Sequence, residues 1–207
     1  NSQPTTSNSQ PTTSNSMRIT GGKARGIQIK APKGDTTRPA TDRMREAIFS
    51  SLGSCVAGSC IADLFAGTGA YGLEALSRGA RHATFYEIDR KALACLKHNQ
   101  QAVLKCCELA PSAAQTITRD LYAQPAGGER AELIFIDPPY DAIEANLSRI
   151  FAKAAALATA DARVILELPG NLNPEIEGWH LTRRFGKPKR DTPNAAIFER
   201  NIGQSHP

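Results

Sequence analysis

"CIADLFAGTGAYGLEALSRG", Cys60–Gly79, changes character twice. It opens as an apolar run of strand length, turns through closely spaced glycines and continues as a helical pattern. A strand, a tight turn and a helix in succession make the first half of a βαβ unit, provided that the rest of the chain repeats the alternation. It does. "ATFYE" (Ala83–Glu87), "QTITR" (Gln115–Arg119), "ELIFID" (Glu132–Asp137) and "RVILEL" (Arg163–Leu168) read as further strands, with "RKALACLKHNQQAVLK" and "ANLSRIFAKAAALA" as helices between them. The expected fold is α/β, a mostly parallel wound sheet with helices on both faces. The ending differs: "WHLTRRF" and "NAAIFERN" are joined through "GKPKRDTP", too short for a crossover helix. They should form an antiparallel hairpin at the sheet edge, making seven strands in all.

The 207 residues, 41% of them hydrophobic, suit one sizeable core. "NSQPTTS" occurs twice at the start and has neither charge nor bulk to bury, so residues 1–16 are expected to be a flexible tail with the domain starting at Met17. Residues 17–54 read as a hairpin-and-helix extension, 55–202 as the main domain and 203–207 as a short tail. "MRITGGKARGIQI" alternates around Gly21 and Gly22 as a hairpin would. "TDRMREAIFSSLG" places Met44, Ala47, Ile48 and Leu52 on one helical face, flanked by Arg43 and Arg45, with Gly53 as its stop.

Composition excludes several classes. There is no run of about 18 apolar residues for a membrane span and no secretory pattern at the start, so a cytoplasmic protein is expected. Five cysteines without a CxxC pair and four scattered histidines imply reduced thiols and no metal. A monomer is expected.

The net charge of +5 is concentrated. Arg18, Lys23, Arg25, Lys30, Lys33, Arg38, Arg43 and Arg45 face only Asp35, Asp42 and Glu46 over the same stretch, and elsewhere the charges cancel. Such concentration favours a polyanion footprint, with Arg18, Lys23, Arg25, Arg38, Arg43 and Arg45 as candidate RNA contacts. "RRFGKPKR", Arg183–Arg190, would extend that surface if the fold brings it round.

In "DLFAGTGAYG", Gly67 and Gly69 allow a tight turn under a ligand, and Asp63 stands where ligands bind at the carboxyl edge of such sheets. The glycine spacing departs from GxGxxG, and an acid beside the loop repels a pyrophosphate. An ammonium is attracted instead, which favours S-adenosylmethionine over a nucleotide. Glu87, ending the second strand, is placed to accept ribose hydroxyls. Asp89 reads as the cap of the next helix, and Asp120, after the third strand, as a group near the adenine edge or a surface turn.

"LIFIDPPYD", Leu133–Asp141, delivers an acid, two prolines and an aromatic ring at the neighbouring strand end. Pro138 and Pro139 stiffen the turn and have no N–H to donate. Asp137 can hold an exocyclic amine while Tyr140 supports its ring, an arrangement suited to N-methylation by direct displacement.

With "MRITGGKARG", "RPATDRMREAIFSSL", "DLFAGTGAYGLEALSRGA", "YEIDR" and "FIDPPY" together, the sequence resembles the bacterial ribosomal RNA small-subunit methyltransferase D family, which methylates guanine N2 in 16S rRNA. The resemblance implies a Rossmann-like class I S-adenosylmethionine-dependent methyltransferase. It implies a cofactor site of Asp63, Phe65, Ala66, Gly67, Thr68, Gly69, Glu87, Ile88 and Asp120, and a guanine site of Asp137, Pro138, Pro139 and Tyr140. The implied partner is 16S rRNA in the small subunit or an assembly intermediate. Three rivals stay open on the residues: a DNA adenine or cytosine amino-methyltransferase, a protein-glutamine methyltransferase, and an RNA-binding module that keeps a cofactor fold.

Overall fold

A computed structural model of the chain describes residues 17–32, 39–122, 129–189 and 192–201. The proposed tails at 1–16 and 203–207, and Arg38, lie outside the described residues, as does the side chain of Tyr140. Seven strands form one sheet, β1 (Cys60–Leu64), β2 (His82–Tyr86), β3 (Ala114–Ile117), β4 (Ala131–Ile136), β5 (Ala158–Pro169), β6 (Trp179–Phe185) and β7 (Pro193–Arg200), in the order β3-β2-β1-β4-β5-β7-β6. The first five are parallel. β7 runs antiparallel between β5 and β6, so the expected hairpin closes the sheet with β6 as its edge.

Parity decides which helices each strand meets. Ile61, Phe85, Leu133, Phe135, Ile165 and Ile197 face the side covered by α1 (Pro39–Leu52), α2 (Ala70–Ser77) and α3 (Arg90–Cys107). Ala62, Leu64, Ile134, Ile136, Val164, Leu166 and Phe198 face α4 (Tyr140–Leu157). With both faces covered, the central strands are apolar throughout rather than alternating. The chain reverses at the carboxyl ends of β1 and β4, which are neighbours whose following helices lie on opposite faces, and this opens a crevice between them.

The amino-terminal ribbon is bridged through Arg18 and Gln28, with its turn spanning Gly21–Gly26 rather than two residues. Ile19, Ala24 and Ile29 of this ribbon and Ile48, Phe49 and Leu52 of α1 belong to the same cluster as Ile61 and Phe85. The boundary expected at residue 54 therefore separates no cores. α1 turns Phe49 inward and leaves Ala47 exposed, because its buried stripe runs through Ile48, Phe49 and Leu52. β5 starts at Ala158, where an alanine-rich pattern had suggested the end of a helix. All five cysteines are free thiols.

Candidate active site

The glycine turn is shaped by three closely spaced backbone reversals. Phe65, Gly67 and Gly69 have φ of 62°, 54° and 84°, and Gly69 precedes α2 directly. A Cβ on Gly69 would come within 2.4 Å of Leu96, whereas one on Gly67 would meet nothing closer than the Phe65 carbonyl at 4.0 Å. Gly69 thus serves packing, and the open side of Gly67 leaves room for a ligand. Gly72 is equally tight, its absent Cβ lying 2.4 Å from the Phe85 ring, and its N–H donates to Asp63 Oδ2 at 2.9 Å. Ala66 N donates to the Tyr86 carbonyl, and Asn99 Nδ2 donates to the Thr68 carbonyl from beneath.

Asp63 is almost fully buried. Burial pushes its carboxyl up to about 8, against the opposing Gly72 N–H and with help from the charge of Glu87. Glu87 is clamped differently: Oε2 accepts from Gly67 N at 2.7 Å, and Oε1 from Ile88 N and Asp89 N at 2.8 and 2.7 Å. Asp89 caps α3 by accepting from Lys91 N and Ala92 N. Beside Glu87 is a small cleft of about 80 Å³ lined by Phe65, Ile88, Leu121 and Tyr122 together with Glu87 and Asp120. Ile88 is 63% exposed there, a large apolar side chain without a cover. Tyr122 packs on Phe65 at 6.3 Å, with the Arg149 guanidinium 4.5 Å from its ring centre. Asp120 accepts from Tyr122 N, so it shapes the turn while its carboxylate stays exposed. An apolar slot between carboxylates thus stands next to a glycine turn with open space over Gly67. Tyr122 and Arg149 were not legible in the sequence; only the aromatic following Asp120 hinted at them.

Across the crevice, Asp137 follows β4 and donates its N–H to the Leu64 carbonyl, and Pro138 and Pro139 lead into α4 at Tyr140. Asp137 opens to solvent, yet its carboxyl is raised well above the usual range, by desolvation in the crevice and then by the charges of Glu167 and Asp63. Asp63 near the end of β1, and Glu87 and Asp137 directly after β2 and β4, therefore share the carboxyl edge of the sheet.

The basic residues divide. Arg18, Arg25 and Arg43 surround one depression between the ribbon and α1, with Asp42 and Glu46 on its wall. Lys23 is exposed on the same ribbon. Arg45 is not available to a phosphate: it is 2% exposed, pairs with Glu74 at 3.3 Å and Asp42 at 2.8 Å, and also donates to the Arg18 carbonyl. Its expected RNA contact is corrected to a structural one, because the helical turn that exposes Arg43 points Arg45 inward. Arg183 reaches Ser51 of α1, bringing part of the second basic cluster round, while Arg184 spends its guanidinium on the carbonyls of Pro169, Gly170 and Leu172.

The model of the family described as Conserved hypothetical protein 95 matches residues 17–190. The chain belongs to this family. Among curated relatives it is 40% identical over 122 residues to "Putative rRNA methyltransferase YlbH" of Bacillus subtilis, covering 58% of this chain and 64% of that protein. It is 36% identical over 121 residues to "Ribosomal RNA small subunit methyltransferase D" of Escherichia coli, covering 58% of each. The chain spans about three fifths of the length of these curated relatives. A solved structure described as "Putative methyltransferase yhhF from Escherichia coli" superposes with a TM-score of 0.72 at 30% identity, over 89% of this chain and 97% of that one. The resemblance to the methyltransferase D family and the class I methyltransferase fold both hold. Among the described residues no group of three or more His, Cys, Asp and Glu is arranged for a metal, and no helix is long and apolar enough to cross a membrane.

Proposed function

We propose that this Conserved hypothetical protein 95 member is an S-adenosylmethionine-dependent enzyme that methylates the exocyclic N2 amine of a guanine in 16S rRNA, within the small subunit or an assembly intermediate in the cytoplasm. The observation that carries the reading is the placement of Asp137-Pro138-Pro139 across one crevice from the Gly67 turn, Asp63 and Glu87. S-adenosylmethionine supplies, when bound, a methyl group on an electrophilic sulfonium. Glu87, already held by three N–H groups, keeps one lone pair, on Oε2, for a ribose hydroxyl, and Phe65, Ile88 and Tyr122 wall the adenine with Asp120 beside it. Asp63 orients the ammonium; a cation beside it favours the ionised carboxylate that burial otherwise opposes.

On the substrate side, Asp137 accepts an N–H of the amine and turns its lone pair toward the methyl. The two prolines cannot compete as donors and keep the turn stiff, and Tyr140 supplies the platform for the base. Positioning of this kind can contribute several of the roughly 7 to 11 kcal/mol available from ideal alignment. Arg18, Arg25 and Arg43, with Lys23, hold the RNA backbone while the base leaves its stack.

The test is to offer small subunits from methyltransferase-deficient cells, protein-free 16S rRNA and duplex DNA in parallel with labelled cofactor, and to identify the methylated nucleoside by mass spectrometry. N2-methylguanosine from ribosomal material is expected. Methyladenine or methylcytosine from DNA would move the activity to the rival class, and no binding of S-adenosylmethionine would leave an RNA-binding module.

A further inference from the structure

One acid at this edge has no part in the displacement just described. Glu167 lies near the end of β5, which pairs with β4 through Ile136 opposite Leu166, so the next positions on the two strands are Asp137 and Glu167. Both continue the parity of Phe135 and Ile165, on the face covered by α2. Glu167 is 8% exposed, and the Tyr71 hydroxyl donates to its Oε1. Tyr71 is fixed by its ring, stacked on Phe135 at 4.9 Å and on Phe49 at 6.4 Å. A buried carboxylate held, among the described residues, by one neutral donor, and placed alongside the carboxylate of an exposed residue, is an expensive arrangement for mere packing.

We propose that Glu167, held by Tyr71, is a positioning residue that acts through Asp137, making the two carboxylates a proton-sharing pair whose open member receives the proton released by the methylated amine. This rests on the amino-methyltransferase reading of the site. In the displacement the N2 lone pair forms the N–C bond and the C–S bond breaks with its electrons left on sulfur, giving a neutral thioether. The nitrogen, now positive, gives one proton to the Asp137 carboxylate, leaving a neutral secondary amine and a neutral acid. A lone carboxylate in water would hold that proton weakly, whereas one beside a second carboxylate holds it more tightly. The groups facing the pair are Asp63 of β1, Tyr71 of α2 and Arg45 of α1; β7 presents Ala195 opposite Glu167. Burial raises the Glu167 carboxyl, opposed by the Tyr71 hydroxyl and the Arg45 charge, so the arrangement leaves Asp137 as the member able to exchange its proton with substrate.

Glu167→Gln keeps the shape and an acceptor for Tyr71 while removing the second charge. Two quantities follow: the titration of the Asp137 carboxyl carbon by NMR in the protein alone, and the pH dependence of single-turnover methylation on small subunits. In the wild type both midpoints are expected above the ordinary carboxylate range. In Glu167→Gln both should move down by roughly one pH unit, with S-adenosylmethionine affinity unchanged. Tyr71→Phe, which leaves the shared proton on Glu167, should move them the same way by less and serves if the glutamine variant does not fold. An Asp137 titration superimposable on the wild type in either folded variant would overturn the proposal. The NMR arm needs no methyl transfer, so an inactive wild type would sink the proposed function while the carboxyl titration still decides the coupling.

Discussion

Glu74 and Glu167 are both buried acids held against α2, one from within that helix and one from β5, and the chain treats them in opposite ways. Glu74 receives Thr20 N, Thr20 Oγ1, Gly21 N and Arg78 Nε at 2.8 Å each and Arg45 Nε at 3.3 Å. It ties the amino-terminal ribbon, α1 and α2 together with its charge fully matched. Glu167 has the Tyr71 hydroxyl, and Asp63, on the same face, has the Gly72 N–H. Around Glu74 the lone pairs are met by cations, N–H groups and a hydroxyl; around Asp63 and Glu167 carboxylates crowd together and are pushed toward protonation. The first pattern builds a lock, and the second leaves charge demand for something that arrives from outside.

Breaking the lock should have the largest effect. Glu74→Ala strands Arg45 and Arg78 and leaves two ribbon N–H groups without their acceptor, and should lower stability by about 3–5 kcal/mol in urea denaturation. A loss under about 1 kcal/mol would erase the distinction between the two acids, since that is the range of an exposed ion pair.

The opposite substitution should stabilise. Asp63 titrates near 8 when folded and in the ordinary carboxylate range when unfolded, so the folded protein binds the extra proton between those values. Its contribution is fully present below the unfolded value and is lost as pH rises through about 8. Asp63→Asn should flatten this decline and be the more stable protein above that pH, by on the order of 2 kcal/mol, while binding S-adenosylmethionine more weakly. Thermal melts across the pH range check it; parallel curves for the two proteins would contradict it.

The smallest effect separates neighbouring arginines. Arg43→Ala should change stability by less than about 0.5 kcal/mol and lower the slope of RNA affinity against salt by about one. Arg45→Ala should destabilise the fold through Glu74 and Asp42. Equal effects on stability would mean that the ribbon is not locked as described.

The same contrast explains what the sequence disclosed. The strands were legible because a sheet covered on both faces needs unbroken apolar runs, and β1 and β4 supply them. The glycine turn, Glu87 and Asp137 were legible because strand ends are fixed once strands are. The lock was not: Arg45 and Glu74 sit in helical stretches where charge ordinarily means solvent, and their partner is a ribbon more than fifty residues away from Glu74. Asn99 was hidden for the same reason, joining Lys30 to Thr68 from the middle of α3. Glu167 lay inside "RVILEL" and read as one position of a strand, since its meaning depends on Asp137 in the next strand and Tyr71 above it.

The most direct test is Asp137→Asn, assayed for S-adenosylmethionine binding by calorimetry and for single-turnover methyl transfer on small subunits in the same preparation. A folded variant with cofactor affinity within about twofold of wild type and transfer slowed on the order of 100-fold or more is predicted, because the amide keeps an acceptor for the amine but has neither the charge to hold it firmly nor the basicity to take up its proton. Transfer at near-wild-type rate, or a loss explained by cofactor affinity alone, would contradict the assignment of the open carboxylate to the substrate.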